Sequence, residues 1–210
     1  MSWAETKKIN NNMKRALNEQ LQDLKCVPMR VITATGTYAP EKTGLYKVIC
    51  VGAGANGTAS TDSLSTMHVR SGSGGGVAIK NIRLESTSTY NVTVSTTASF
   101  SNIMSATGAS SSSDQTPGTA SGGDYNFTGE KGLYATGKNT YLRGASVGVH
   151  ITELSRSYVM MTSSNLILTS GDCLLAYGGG GLAAYDINNA THKSLGFPAA
   201  IIIIPLEMEE

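Results

Sequence analysis

The chain has 210 residues, 40% of them hydrophobic, and carries 16 Lys+Arg against 15 Asp+Glu for a formal net charge of +1. That length can bury a sizeable core, while the near-neutral balance, with no basic stripe, supplies no attraction for nucleic acid, and no apolar run approaches the roughly 18 residues that suggest membrane insertion. Glycine is high, 24 residues or about 11% against roughly 7% in average chains, and charged residues are low, 15% against roughly 25%, so polarity comes from Ser, Thr and Asn, residues that favour turns and strands.

Nine of the charged residues fall in the first 30 positions. There the pattern predicts a helix over 2–25. Ser2 stands three residues before Glu5 as a capping box, and Ile9, Met13, Ala16, Leu17, Leu21 and Leu24 fall close to helical spacing before Pro28 ends the run. The stripe fits a helix packed on its own domain or on a neighbouring protein. It also fits a self-associating seam, although it covers only about three heptads and Asn10 and Gln20 interrupt the strict register. Residues 1–30 are therefore read as an attachment or oligomerisation element and 31–210 as a separate body. The N-terminal residues lack the apolar core of a secretory signal. Cys26, Cys50 and Cys173 are odd in number without paired spacing, so they read as unpaired thiols, with no disulfide framework or zinc site.

From Val31 onward the signals are β. Val31–Thr33 leads to a turn around Pro40 and then to a strand over Leu45–Val51. Val77–Leu84 and Tyr90–Val94 alternate apolar and polar residues, as half-buried strands do. Further short strands are expected at Tyr141–Leu142, Val147–Ile151, Tyr158–Met161, Leu166–Leu168, Cys173–Tyr177 and Ala199–Ile204. The last has four isoleucines before Pro205 and suits burial on both faces. Many short strands between turn residues predict a mainly-β sandwich or jelly-roll-like body with glycine-rich loops. Residues 106–123, rich in Ser, Gly and Thr, read as a low-complexity mobile loop. Short glycine runs at 72–76 and 178–181 border predicted strands, where glycine supplies positive φ or lets backbones pack closely.

Three stretches imitate enzyme motifs. Val48–Val51 runs into Gly52-x-Gly54-x-x-Gly57, the spelling of a dinucleotide-binding turn, but Thr58–Thr66 is poor in helix formers and no acid lies between Asp62 and Glu85. Residues 132–139 nearly spell a phosphate-binding loop, with Asn139 where a magnesium-holding Ser or Thr belongs. Gly144-Ala145-Ser146-Val147-Gly148 matches a nucleophile elbow, with Asp172 or Asp186 and then His192 in the required order, but 147–151 alternates like a strand. A surface-polymer esterase built on Ser146 is the enzyme reading this leaves. His68, His150 and His192 show no ligand spacing, so no metal and no cofactor is expected.

The segments SWAETKKINNNMKRALNEQL, GLYKVICVGAGANG and SGSGGGVAIKNIRLESTSTYNVTVS, with LLAYGGGGLAAYD and GFPAAIIIIP near the end, resemble short glycine-rich tail-fibre proteins of phages and of phage-tail-like bacteriocins from Clostridia and relatives. The resemblance implies a non-enzymatic receptor-binding component of a virion or tail-like particle. It further implies a homotrimer held by its N-terminus to a baseplate or fibre-attachment protein, assembled in the host cytoplasm and exposed after release. A low-charge tip rich in hydroxyls, amides and tyrosines suits a bacterial surface glycan or cell-wall polymer. The candidate receptor residues are Tyr125, Asn126, Phe127, Tyr134, Tyr141 and Arg143. These aromatic residues equally fit core or strand-pair roles. Trp3 and Ile9, with Met13, Leu17, Leu21 and Leu24, are the candidates for attachment and oligomerisation. A structural baseplate or fibre connector without receptor binding is the alternative.

Overall fold

The structure, a computed structural model, describes residues 27–61, 67–110, 115–136, 140–142, 160–162, 165–167, 177–180, 183–185, 191–193 and 195–209. The expected N-terminal helix, with Trp3, Ile9, Met13, Leu17, Leu21 and Leu24, lies outside these residues. So do Arg143 and Ser146. The described residues are mainly antiparallel β and contain no helix. In chain order the strands are β1 (Arg30–Ile32), β2 (Gly36–Tyr38), β3 (Gly44–Val51), β4 (Thr58–Thr61), β5 (Met67–Arg70) and β6 (Val77–Leu84). They continue with β7 (Tyr90–Val94), β8 (Ala98–Phe100), β9 (Met104–Ala106), β10 (Ala120–Ser121), β11 (Tyr125–Phe127) and β12 (Tyr134–Thr136). The last six are β13 (Thr140–Leu142), β14 (Met160–Thr162), β15 (Asn165–Ile167), β16 (Ala183–Tyr185), β17 (Thr191–Lys193) and β18 (Ala200–Met208).

Two five-stranded antiparallel sheets form the base, one in the order β1-β18-β3-β6-β11 and the other β10-β9-β8-β7-β2. The period-two pattern of their sequences decides which faces meet. Tyr46, Val48 and Cys50 of β3, Ala78 and Leu84 of β6, and Ile201 and Ile203 of β18 share one buried core with Val92, Ala98, Phe100, Met104 and Ala106. Each large aliphatic side chain there contributes about 1.5–3 kcal/mol before ordering costs. Tyr46 keeps its hydroxyl satisfied by donating to the Lys42 carbonyl at 2.6 Å, and the Tyr90 ring stacks on Phe100 at 5.4 Å. The isoleucine run is buried on both faces as expected through Ile203: Ile202 turns away from the shared core to join Ile49, Val51 and Val77, while Ile204 is half-buried. β18 continues past Pro205 to Met208, and its register with β3 shifts between Pro205 and Glu207, where proline has no N–H for the ladder.

Above the base the chain abandons strand geometry. Segments 52–57, 71–76, 107–110, 115–119, 128–133, 177–180 and 195–199 hold one another by backbone bonds that repeat every third residue. The amides of Gly52 and Ala55 donate to the carbonyls of Gly76 and Ser73, those of Ser71 and Gly74 to Leu133 and Glu130, and those of Thr107 and Ser110 to Thr119 and Thr116. A strand alternates sides with period two. A repeat of three is that of an extended polyproline II-type helix, which has no bonds within itself and directs successive amides to different neighbours. Segment 71–76 accordingly bonds to five others, 52–57, 107–110, 115–119, 128–133 and 177–180, where a strand in a sheet has two.

Such a lattice requires backbones to approach more closely than a side chain permits. A Cβ on Gly52 would lie 2.0 Å from the Thr107 carbonyl oxygen, and one on Gly75 would lie 1.9 Å from that of Gly52. Neither glycine has positive φ; close approach is what they are for. The buried serines of the bundle are bonded. Ser73 donates to the Gln115 carbonyl at 2.6 Å and accepts the Gly132 amide at 2.9 Å, and Ser71 accepts the Leu133 amide at 2.8 Å. Residues 106–123, expected as a mobile loop, are largely built into this architecture. Ala106 ends β9, 107–110 and 115–119 belong to the bundle, and Ala120–Ser121 is β10. Low complexity misled because backbone-to-backbone bonding needs small residues, not an apolar period.

Beyond the bundle lie two smaller antiparallel sheets, β12-β5-β4 and β13-β16-β17, and β14 and β15 pair with each other. β4 and β5 lie close to β16 and β17. The bundle therefore separates these distal sheets from the base, by about 19 Å for a six-residue segment rising about 3.1 Å per residue.

Candidate functional site

The first enzyme-like stretch meets the structure directly. The amides of Gly52, Ala53, Gly54 and Ala55, the donors a pyrophosphate would need, already bond to the carbonyls of Gly76, Thr96, Phe197 and Ser73 at 2.9 Å each. A Cβ on Gly54 would stand 1.9 Å from the Gly179 oxygen, so another backbone fills the space a ligand would take. Gly57 leads into β4 and not into a helix. In the second stretch the Gly132 amide bonds to Ser73 and residues 134–136 form β12, while 137–139 lie outside the described residues. The elbow at 144–148, with Asp172 and Asp186, also lies outside them. Among the described residues no group of three or more His, Cys, Asp and Glu side chains is placed to hold a metal ion.

Of the six receptor candidates, the structure separates rather than gathers. Tyr125, Asn126 and Phe127 form β11, an edge strand of the base paired with β6. Asn126 staples its own turn, accepting the Gly123 amide at 3.0 Å and donating to the Gly123 carbonyl at 2.9 Å. Phe127 packs beside Ile49, Val51, Val77 and Ile202. Tyr125 alone of the three is free to meet a ligand, with 63% of its surface exposed. Tyr134 stands on the distal side of the bundle in β12, and Tyr141 sits in β13 opposite Ala184.

Tyr134 has company that sequence reasoning missed. In the β12-β5-β4 sheet the registers place Tyr134 opposite Arg70 and Arg70 opposite Thr58, with Thr136 opposite His68 and His68 opposite Ser60. Directly opposed residues share a face, as do residues two apart. One face of this sheet thus carries Thr58, His68, Arg70, Tyr134 and Thr136, all polar or aromatic. The other carries Ala59, Val69 and Ala135, with Val69 fully buried. On the polar face the His68 Nδ1 and Tyr134 hydroxyl are 2.7 Å apart, their rings stack at 6.0 Å, and the Arg70 guanidinium lies 4.9 Å from the Tyr134 ring centre. Tyr134 is 51% exposed, and Thr58 and Thr136 are exposed as well. The signal for β5 was present in Met67-His68-Val69-Arg70, which alternates, but a four-residue pattern within a polar stretch is too short to stand out.

A cleft of about 330 Å3 lies in the base, lined by Arg30 and Ile32 of the edge strand β1, Tyr38 of the edge strand β2, and Glu41 among others. An Arg30–Glu41 ion pair at 2.5 Å stands in its wall. Burial, together with the nearby Tyr46 and Glu41, pushes the Tyr38 phenol up to about 12, so it stays protonated at neutral pH. The distal face is the stronger candidate because its aromatic, hydroxyl and cationic groups converge on an exposed surface. Comparison of the chain with protein-family models, with curated proteins and with solved structures found no match.

Proposed function

We propose that this protein is a tail-fibre component of a phage or phage-tail-like particle that binds the bacterial surface through its distal sheets and performs no catalysis. The observation that carries the reading is the exposed face of Thr58, His68, Arg70, Tyr134 and Thr136, held on the far side of a glycine bundle from the base. Aromatic and hydroxyl groups on a flat sheet face suit a glycan or cell-wall polymer, offering rigid apolar contact beside hydrogen-bond donors and acceptors. A spacer locked by backbone bonds keeps that face from collapsing onto the base. The segment before Val27 serves attachment to the particle in this reading, with three copies giving avidity to weak single sites. The test is binding of fluorescently labelled full-length protein to a broad panel of bacteria. Strain-selective binding supports the reading; a folded protein that binds no strain moves the assignment to a structural fibre connector.

A further inference from the structure

We infer that the outer face of the β1-β18-β3-β6-β11 sheet seats the chain's own N-terminal segment, residues 2–25, whose apolar stripe packs across it. The two sheets of the base differ on their outer faces. In the β10-β9-β8-β7-β2 sheet the registers align Thr93, Ser99, Ser105 and Ser121 in one outward row, as befits an antiparallel sheet with one face in water. In the other sheet the registers align Val31, Ile202, Ile49, Ile79 and Tyr125. The next row, Ala200, Val51, Val77 and Phe127, is apolar as well. Ile49, Val51, Val77 and Ile202 form a buried cluster of their own, separate from the shared core, and Tyr177 of the bundle packs on it. The rim of the face is less well covered. Val31, Ile79, Ile204 and Phe127 are half-buried, Met29 is 49% exposed and Tyr125 63%. A sheet that is apolar on both sides needs a layer on each.

The chain itself supplies that layer. Val27 is buried in the shared core, three residues before β1, the edge strand of this sheet. The 26 residues before it therefore leave from the edge of the apolar face. Their predicted helix carries Ile9, Met13, Leu17, Leu21 and Leu24 along one side, and such a stripe has to be buried against another element. From Ile9 to Leu24 it runs about 22 Å at about 1.5 Å per residue. Five strands, the longest central pair eight residues each, offer a face of about 19 by 26 Å. The link from Leu24 to Arg30 reaches no more than about 20 Å, so it holds the stripe over the face at a high effective concentration, against which a second copy competes poorly. Lys8, Arg15 and Glu19 lie opposite the stripe and are what the seated segment offers to a particle. The inference does not rest on the receptor reading.

The experiment measures maleimide labelling of the native full-length protein with Cys26 and Cys173 changed to serine. Met13→Cys and Leu17→Cys place a thiol on the stripe; Asn11→Cys and Gln22→Cys place one opposite it. The stripe thiols are expected to react about tenfold or more slowly than the opposite pair, and equally so on dilution. Tyr125→Lys and Ile204→Lys on the apolar face should each remove most of that difference, while Thr93→Lys on the polar face of the other sheet should leave it intact. Equal rates at all four positions would overturn the inference, and so would protection that survives both face variants. Protection that fades on dilution would also overturn it, giving the face to a second copy. The four-thiol comparison and its dilution need no change in the base, so they decide the matter even where a face variant fails to fold.

Discussion

Adding one methyl group at Gly75 tests what the bundle glycines do. The Cβ of an alanine there would lie 1.9 Å from the Gly52 carbonyl oxygen, 2.5 Å from its carbon and 2.9 Å from the Ala53 oxygen, all of them backbone atoms that cannot swing aside. Ordinary contact begins at 3.4 Å, so segments 52–57 and 71–76 must separate by about 1.5 Å, enough to break any hydrogen bond between them. Two such bonds join them, Gly52 to Gly76 and Ala55 to Ser73, each 2.9 Å long. Leaving buried partners unsatisfied costs about 1–3 kcal/mol per bond, or about 2–6 kcal/mol in total. At about 2–4 °C per kcal/mol for a chain of this size, the midpoint of that range lowers Tm by about 8–16 °C. Gly36→Ala is the matched control, because a Cβ there meets nothing within 4 Å. It carries the same change in unfolded-chain entropy and is expected to shift stability by no more than about 1 kcal/mol. Differential scanning calorimetry on both variants decides. If Gly75→Ala melts within about 2 °C of Gly36→Ala, close backbone approach is not what fixes glycine at this position.

Three further outcomes follow from the base and the bundle. Ser73→Ala removes both a donor to Gln115 and an acceptor for Gly132 in a fully buried setting, so urea denaturation should show a loss of about 2–4 kcal/mol; Ser105→Ala at a half-exposed strand position, measured alongside, should stay within about 0.5 kcal/mol. Burial pushes the Cys50 thiol up to about 12, opposed by a weaker backbone hydrogen bond with Phe100. With Cys26 and Cys173 changed to serine, Cys50 should therefore resist thiol reagents at mildly alkaline pH until the protein is unfolded, and rapid native-state labelling would contradict its burial. The Asn81 amide, and then Lys80, hold the exposed Asp124 carboxyl below its ordinary value of 3.8. A group depressed in the folded state stabilises above its unfolded pKa and loses that contribution as pH falls through its folded pKa. The stability gap between wild type and Asp124→Asn should be present at neutral pH and close below about pH 3; a gap that ignores pH would refute the linkage.

How far the sequence could be read depended on which atoms make the contacts. Val77–Leu84 and Tyr90–Val94 were legible to the residue because apolar and polar residues interleave along them, although Val77 and Ala78 are both buried, in different clusters, and the isoleucines of β18 announced burial by their number. The bundle left no such trace. Its order comes from main-chain bonds with a period of three, and the side chains register it only as an excess of Gly, Ser and Thr, which also describes a loop. The same gap hid the site. Tyr134 was recognisable as an exposed aromatic, but His68 and Arg70 lie more than sixty positions earlier and reach it only because 71–76 and 128–133 run side by side through the bundle. Conversely, Asn126 and Phe127 were chosen for their chemistry and turn out to serve a turn and a packed cluster, roles set by the pairing of β11 with β6.

The most direct test is to compare labelled full-length protein with its Tyr134→Ala variant on a strain the wild type binds, after confirming equal melting. Removing a half-exposed ring that carries both His68 and Arg70 should weaken cell binding about tenfold or more, as losing an aromatic anchor does. Undiminished binding by the well-folded variant would mean that the distal face is not where this protein meets the cell.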